Sequence, residues 1–420
     1  MRTCYQLSTR CLIVLLGGAA AAHAQVRPEL AARYFKEATA LCERDAGRLW
    51  GVSLCGPMVI VDQATGTRAT SQPEPEGPLP RFQGFVDGPV SWGGVRWFSF
   101  PLYMLPPDDA AVRQQVMLHG LFHRIQPELG LIAEDGFNEH LDTLEGRVWL
   151  QLEWRALRRA VEASATDRAE AIADALAFRR ERRRLFPAAA DNERRDEIRE
   201  GLASYTGIAA WAPSPADARR AAASALAGSD AQPSFVGNFE AASGPAYGVL
   251  LDDLAPDWRR QVRGTSDLGD LLASAIDRPA TTDAAAAAAR YDGARLRTAE
   301  EVRDQAQQIR VAEVRRRFVD APVLTMPAAG TGTSDTTGSI GIPGVGTVLF
   351  RHFTLSAQWG RLTADGGVLR AADGATLSVP ATVPLEGTTL RGDGWSATLN
   401  PGWVVRPAAR PGSFTIVREN

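Results

Sequence analysis

Residues 110–126, AAVRQQVMLHGLFHRIQ, decide the reading of this chain, together with residues 200–207, EGLASYTG. The first stretch follows Pro106-Pro107, has Asp108 or Asp109 as a helix cap and runs to about Gln126, where Pro127 ends it. A helix there carries His119 and His123 at i and i+4, one turn apart on one face, as a single tetrahedral metal requires of a helix. Val112 and Val116 precede them on that face and turn the pair toward the interior or a cleft, where neutral imidazoles need partners. Spacing alone leaves a pair of ordinary hydrogen-bonded histidines as the other reading.

The second stretch supplies a third ligand. It presents Glu200 on a helix beside Gly201, a residue that lets another backbone approach closely. The order of strand, His-x-x-x-His helix and later helix opening Glu-Gly-x-Ala-x-Tyr resembles the gluzincin-like zinc metallopeptidases of the peptidase MA group. That resemblance implies zinc held by His119, His123 and Glu200. It also implies an α+β fold: a mostly helical zincin-like domain with a small N-terminal mixed sheet, followed by a small all-β domain. An edge strand of such a sheet would hold an extended peptide or protein, and Val95–Phe100 is the candidate.

One position departs from the family pattern. Where those peptidases carry glutamate, which takes a proton from the attacking water and returns it to the leaving amine, this chain has Gly120. Glycine can do neither, and inside a helix it costs about 1 kcal/mol relative to alanine. Loss of a general base removes about 10²–10⁴-fold in rate. The expectation is therefore an exported zinc-binding protein whose peptide-bond hydrolysis is impaired. The alternative is a catalytically inactive pseudopeptidase acting as an envelope binding or assembly factor.

Other residues have two readings each. Glu145 and Glu153, on a helix over 144–163, would hold His119 or His123 by the far ring nitrogen, or else pair with Arg147 and Arg155. Tyr205 is either a donor facing the cleft or a core tyrosine. His140 is an alternative ligand, a transition-state donor or, in Asn138-Glu139-His140, a loop residue. The Arg179–Arg184 cluster reads as a solvated helix face. Neither Gly-x-Ser-x-Gly nor a phosphate-binding loop occurs.

Arg2 and Arg10, the apolar stretch Cys11–Ala22 and Ala22-His23-Ala24 read as an export signal over 1–24, so the product is expected in the periplasm or secreted. No later stretch reaches about 18 consecutive apolar residues, and no transmembrane anchor is expected. Cys42 and Cys55 remain as an even pair in an oxidising compartment, where a disulfide is favoured over two buried thiols. Lysine and arginine together number 46 against 49 acidic residues, and Lys36 is the single lysine. Without a basic excess, nucleic acid is not an expected partner.

With 420 residues, 45% of them hydrophobic, the chain can bury more than one core. The periodicity predicts a helix over about 28–46, strands at Pro57–Asp62 and Ser91–Pro101, and helices near 144–163, 166–185, 191–208, 215–227 and 247–262, with a charge-rich one ending near Phe318. The resulting layout is a metallopeptidase-like domain over 25–320, a Gly/Thr-rich linker over 321–346 and a β domain over 347–420 with Asp-Gly, Gly-Asp and Pro-Gly turns. A further reading makes that β domain a ligand-binding module carried on a helical scaffold.

Overall fold

The computed structural model describes residues 26–419 apart from 64, 81–87, 135, 137, 277–280, 282, 335–337 and 382–386. The export signal read at 1–24 lies outside the described residues. The chain has an α+β fold and divides into two compact units, 1–300 and 301–420.

The first unit opens with helix α1 (Pro28–Asp45), started by Pro28 at its first turn and closed by Ala46 in the left-handed region. A four-stranded sheet follows: β1 (Met58–Val61), β2 (Arg68–Thr70), β3 (Gly88–Trp92) and β4 (Val95–Pro101), in the order β2-β1-β4-β3. The stretch Ser91–Pro101, read as one strand, is a hairpin in which Gly93 and Gly94, both at positive φ, make the two-residue turn. β4 pairs with β3 on one side and with β1, in parallel, on the other. It is an interior strand, so the expectation that Val95–Phe100 offers a free edge is corrected. The edges are β2 and β3.

Both faces of this sheet are covered. Met58, Ile60, Phe98 and Phe100 enter the main core, whereas Val59, Val61, Val90, Trp92 and Trp97 form a separate cluster behind it. That is the period-2 alternation of a strand buried on two sides.

Helix α2 (Ala110–Ile125) lies against β4 and is capped by Asp109, whose carboxylate accepts from Val112 N at 3.0 Å. Then come α3 (Leu144–Glu162), α4 (Ala165–Leu185), α5 (Ala189–Asp196), a π-helical turn (Glu197–Gly201) and α6 (Leu202–Trp211). The helix expected over 191–208 is thus a continuous rod interrupted by a π turn. Helices α7 (Pro215–Ser229) and α8 (Phe239–Leu254) follow. α8 starts eight residues before the predicted segment and contains Gly244-Pro245. Glycine and proline both disfavour a helix interior, but tertiary packing requires the glycine: a Cβ on Gly244 would fall 2.4 Å from Gly201 Cα.

The second unit holds two sheets that share one core. The segment 321–346, expected to be a linker, carries three strands, β5 (Val323–Pro327), β6 (Gly330–Ser334) and β7 (Ile340–Ile342). β5 sits inside the seven-stranded sheet, and its Leu324 and Met326 are fully buried. β6 is an edge strand of the five-stranded sheet, exposed along its length, and its glycines let neighbouring carbonyls approach. Pairing across the sheet, not local propensity, makes it a strand. The Asp393-Gly394 turn behaves as its sequence predicts, with Gly394 at φ +73° between the paired strands Thr389–Gly392 and Trp395–Leu399.

Among the described residues, no helix is long and apolar enough to cross a membrane. Cys42 and Cys55 form a disulfide, with Cα atoms 5.2 Å apart. A bridge of this kind is consistent with an extracellular protein.

Candidate metal centre

His119 and His123 point from the last two turns of α2 toward the π turn that carries Glu200. His119 Nε2 and His123 Nε2 are 3.0 Å apart, and each lies 3.2 Å from Glu200 Oε2. The three side chains are 12–15% exposed, so they are largely covered without being sealed from solvent. Zinc bonds of about 2.0–2.1 Å at tetrahedral angles place donors about 3.3 Å apart. Two imidazole nitrogens and one carboxylate oxygen at 3.0–3.2 Å match the spacing of three corners of that tetrahedron. The cluster could hold a metal ion, and among the described residues it is the one group of three or more His, Cys, Asp or Glu side chains close enough to do so.

Several contacts fix the triangle. Arg199 Nη2 takes the other carboxylate oxygen of Glu200 at 3.0 Å, so a single oxygen faces the histidines. Ser204 Oγ lies 3.3 Å from His119 Nδ1. Gln126 contacts His123 Nδ1 at 2.9 Å and the carbonyls of Ile198 and Arg199 at 3.0 Å each. Arg179 grips the carboxylate of Glu197, the first residue of the π turn, through two bonds of 2.6 and 2.5 Å. A π turn inserts a residue into the helical phase, a distortion common at functional sites. Two close approaches locate it. Gly201 meets Gly244 of α8, as the Glu-Gly pair suggested, and a Cβ on Gly207 would lie 2.6 Å from Gln115 O of α2.

The charges are coupled. Burial works against ionised Glu200, but the imidazolium character of His123 and bonds from both histidines outweigh it and hold its carboxyl well below the usual range. Burial depresses His119, whereas for His123 it is overcome by the Glu200 charge and by bonds to Glu200 and Gln126, which raise it.

Gly120 lies on the same turn with no room beside it. A Cβ there would fall 2.5 Å from Phe100 Cε1 and 2.6 Å from Phe98 Cε1. Those two rings are 4.6 Å apart, and Phe98 stacks on the His123 ring at 6.1 Å. The space next to residue 120 is filled by aromatic carbon, which the sequence reading of Gly120 as a lone missing side chain did not foresee.

The remaining candidates sit elsewhere. Glu145 is held by Arg297 at 2.6 and 2.9 Å and by Trp149 Nε1 at 3.0 Å. Glu153 accepts from Tyr247 at 2.8 Å and pairs with Arg182 at 2.5 Å and Arg179 at 3.4 Å. Neither carboxylate is bonded to His119 or His123, and neither follows the Arg147/Arg155 alternative. His140, in a short turn over Glu139–Asp142, bonds Glu193 Oε1 at 2.9 Å. Tyr205 is fully buried, with its hydroxyl on Asp252 at 2.8 Å and Arg259 at 2.7 Å. It is a core residue packed on Trp50 and Trp258, not a donor in the cleft.

The arginine cluster also differs from expectation. Arg180 and Arg184 are exposed, but Arg179 and Arg182 are buried and Arg183 is largely covered. Together they meet Glu153, Glu193, Glu197 and Asp267, carboxylates supplied by four different places in the chain. The charge run alone could not show those partners.

Compared with protein-family models, curated proteins and solved structures, the chain matches none.

Proposed function

We propose that this protein is an exported zinc-binding protein of metallopeptidase type that does not hydrolyse peptides by the glutamate-assisted route. The observation that carries the reading is the convergence of His119 Nε2, His123 Nε2 and Glu200 Oε2 within 3.0–3.2 Å, beside a position, Gly120, that has neither a general base nor room for one.

His119, His123 and Glu200 would hold the zinc, Arg199 would keep Glu200 to one oxygen, and Phe98 would fix the His123 ring. Zinc held there would supply Lewis acidity. In this chain no side chain at 120 can carry a proton between a water and a leaving amine, so the residues present bind and orient without completing hydrolysis. The role that remains is recognition of an extended peptide or protein in the cell envelope or outside it. The edge strands β2 and β3, each paired on one side among the described residues, offer backbone for such a partner.

Elemental analysis of the purified chain, beside a His119→Ala/His123→Ala variant, tests the first half. One zinc per chain, lost in the variant, is expected, and a metal-free parent would refute it. A peptide library tests the second half, and turnover by the zinc-loaded parent that the double variant lacks would refute the non-hydrolytic reading.

A further inference from the structure

A cavity of about 600 Å³ opens on the first unit where the loop after α2, helix α5 and the turn at 263–265 meet. None of His119, His123 and Glu200 lines it. Its lining is cationic: Arg194 and Arg195 of α5 and Arg263 stand there with one carboxylate, Glu134. Asp191, which does not line the cavity, pairs with both arginines of α5, and Glu134 is 90% exposed and 3.8 Å from Arg195. Three guanidinium groups against these two carboxylates leave a positive charge over. The walls are tied together by backbone. Arg194 Nη1 donates to Gly264 O at 2.8 Å, and a Cβ on Gly264 would lie only 3.0 Å from Ile132 O.

Arg263 carries the surplus. Its Nη1 donates to the carbonyls of Arg260 and Val262 at 2.8 Å each and so spends both of its hydrogens. Its main chain is fixed as well: Arg263 N donates to Ser266 Oγ, and Ser266 N to Arg263 O, each at 2.9 Å. Among the described residues no carboxylate pairs with it. What remains is the edge formed by Nε–H and Nη2–H, two parallel donors that fit a carboxylate bidentately. Because the side chain is already anchored on backbone, binding costs it little rotamer freedom. Ile132, 67% exposed, and Ala133 put aliphatic carbon into the same cavity. A free phosphate would leave that carbon unused, and Glu134 opposes a second negative charge.

We infer that this cavity binds the carboxylate of an aliphatic residue at the C-terminal end of a peptide, with Arg263 holding the carboxylate through Nε and Nη2 and Ile132 meeting the side chain. Cavities of about 300–1,000 Å³ take ligands of drug size, which favours the end of a chain over a free amino acid. Carboxylate binding here is independent of the metal centre. That the chain end belongs to the protein's partner rests on the peptide-recognition reading above.

Calorimetric titration of the full chain with N-acetyl-Ala-Ala-Leu, beside the same peptide as its C-terminal amide, tests this with a chelator present so that zinc plays no part. The acid is expected to saturate the protein below about 1 mM. The amide is expected to bind about 10–100-fold more weakly, since it loses the charge-assisted pair, and Arg263→Gln should weaken the acid by the same factor. Ile132→Ser should cost the acid about 3–10-fold. Arg220→Gln, at an exposed arginine of α7 paired with Asp217, should bind as the parent does. Circular dichroism checks that each variant is folded. Acid and amide bound alike by the parent, or no saturation by the acid, overturns the inference, as does a folded Arg263→Gln with unchanged affinity. Inorganic phosphate displacing the acid at equal concentration overturns the aliphatic half, and free leucine binding as tightly as the peptide overturns the chain-end assignment. A chain that holds no zinc yet prefers the acid to the amide refutes the metal centre and supports the carboxylate site.

Discussion

Replacing Gly120 by alanine should lower the stability of the first unit, although the same change inside an ordinary helix would raise it. The added Cβ would lie 2.5 Å from Phe100 Cε1 and 2.6 and 2.7 Å from Phe98 Cε1 and Cδ1. Carbon atoms settle at about 3.5–4.0 Å, so the overlap is about 1 Å. The rings cannot swing aside freely. Phe98 and Phe100 are 4% and 2% exposed, pack on each other, and rise from a strand paired on both sides. Overpacking of this kind costs about 1–3 kcal/mol, and the helix gains about 1 kcal/mol when glycine becomes alanine, leaving a net loss of about 0–2 kcal/mol. At about 2–4 °C per kcal/mol, calorimetry should find the melting temperature of the first unit lowered by a few degrees. Gly120→Glu carries the same overlap plus a carboxylate pressed on aromatic carbon, so it should be less stable still and should leave a peptide library uncleaved. A Gly120→Ala protein at least as stable as the parent with 1–2 °C to spare, or peptide cleavage by folded Gly120→Glu alone, would refute the packing account.

Three other outcomes follow from the buried charges and the bridge. Arg182→Met removes the closest cation of buried Glu153 and Glu193, leaving them Arg179 at 3.4 Å and Arg183 at 2.8 Å, and should cost about 3–5 kcal/mol in denaturant unfolding; a loss under about 1 kcal/mol would show those remaining partners sufficing. Glu240 is buried with Oε2 unpartnered, and burial first, then the charge of Asp196, holds its carboxyl well above the usual range. The folded chain keeps a proton that the unfolded chain releases above about pH 4.3, so parental stability falls as pH rises past that value; Glu240→Gln should match the parent near pH 4 and exceed it at about pH 7–8, and parallel melting curves across that range would contradict this. Changing Cys42 and Cys55 to serine should cost about 3 kcal/mol in the same unfolding assay, and no loss would mean that the loop closes without the bridge.

The helix of residues 110–125 was legible in advance because its signals are local: a capping aspartate, a closing proline and two histidines one turn apart. The Glu200-Gly201 pair was legible for a similar reason, since a glycine beside an acid asks for a close neighbour. What stayed hidden depends on residues far apart in the chain. The partners of Arg179 and Arg182 come from elements up to 88 residues away, so a run of charges looked solvated when it was buried. Glycine and threonine at 328–346 have no apolar alternation, and only pairing with Phe353–Ala357 makes β6 a strand.

The sequence by itself determined the α+β class, the pairing of Cys42 with Cys55 and the ligand types available at the centre. Tertiary structure alone decided that β4 is interior, that Tyr205 is core, that Gln126 bridges α2 and the π turn, and that Phe98 and Phe100 fill the place beside Gly120. The reason is physical. Caps, turns and helical spacing act over a few residues, whereas which atoms fill a space or face a lone pair is settled only where distant segments meet.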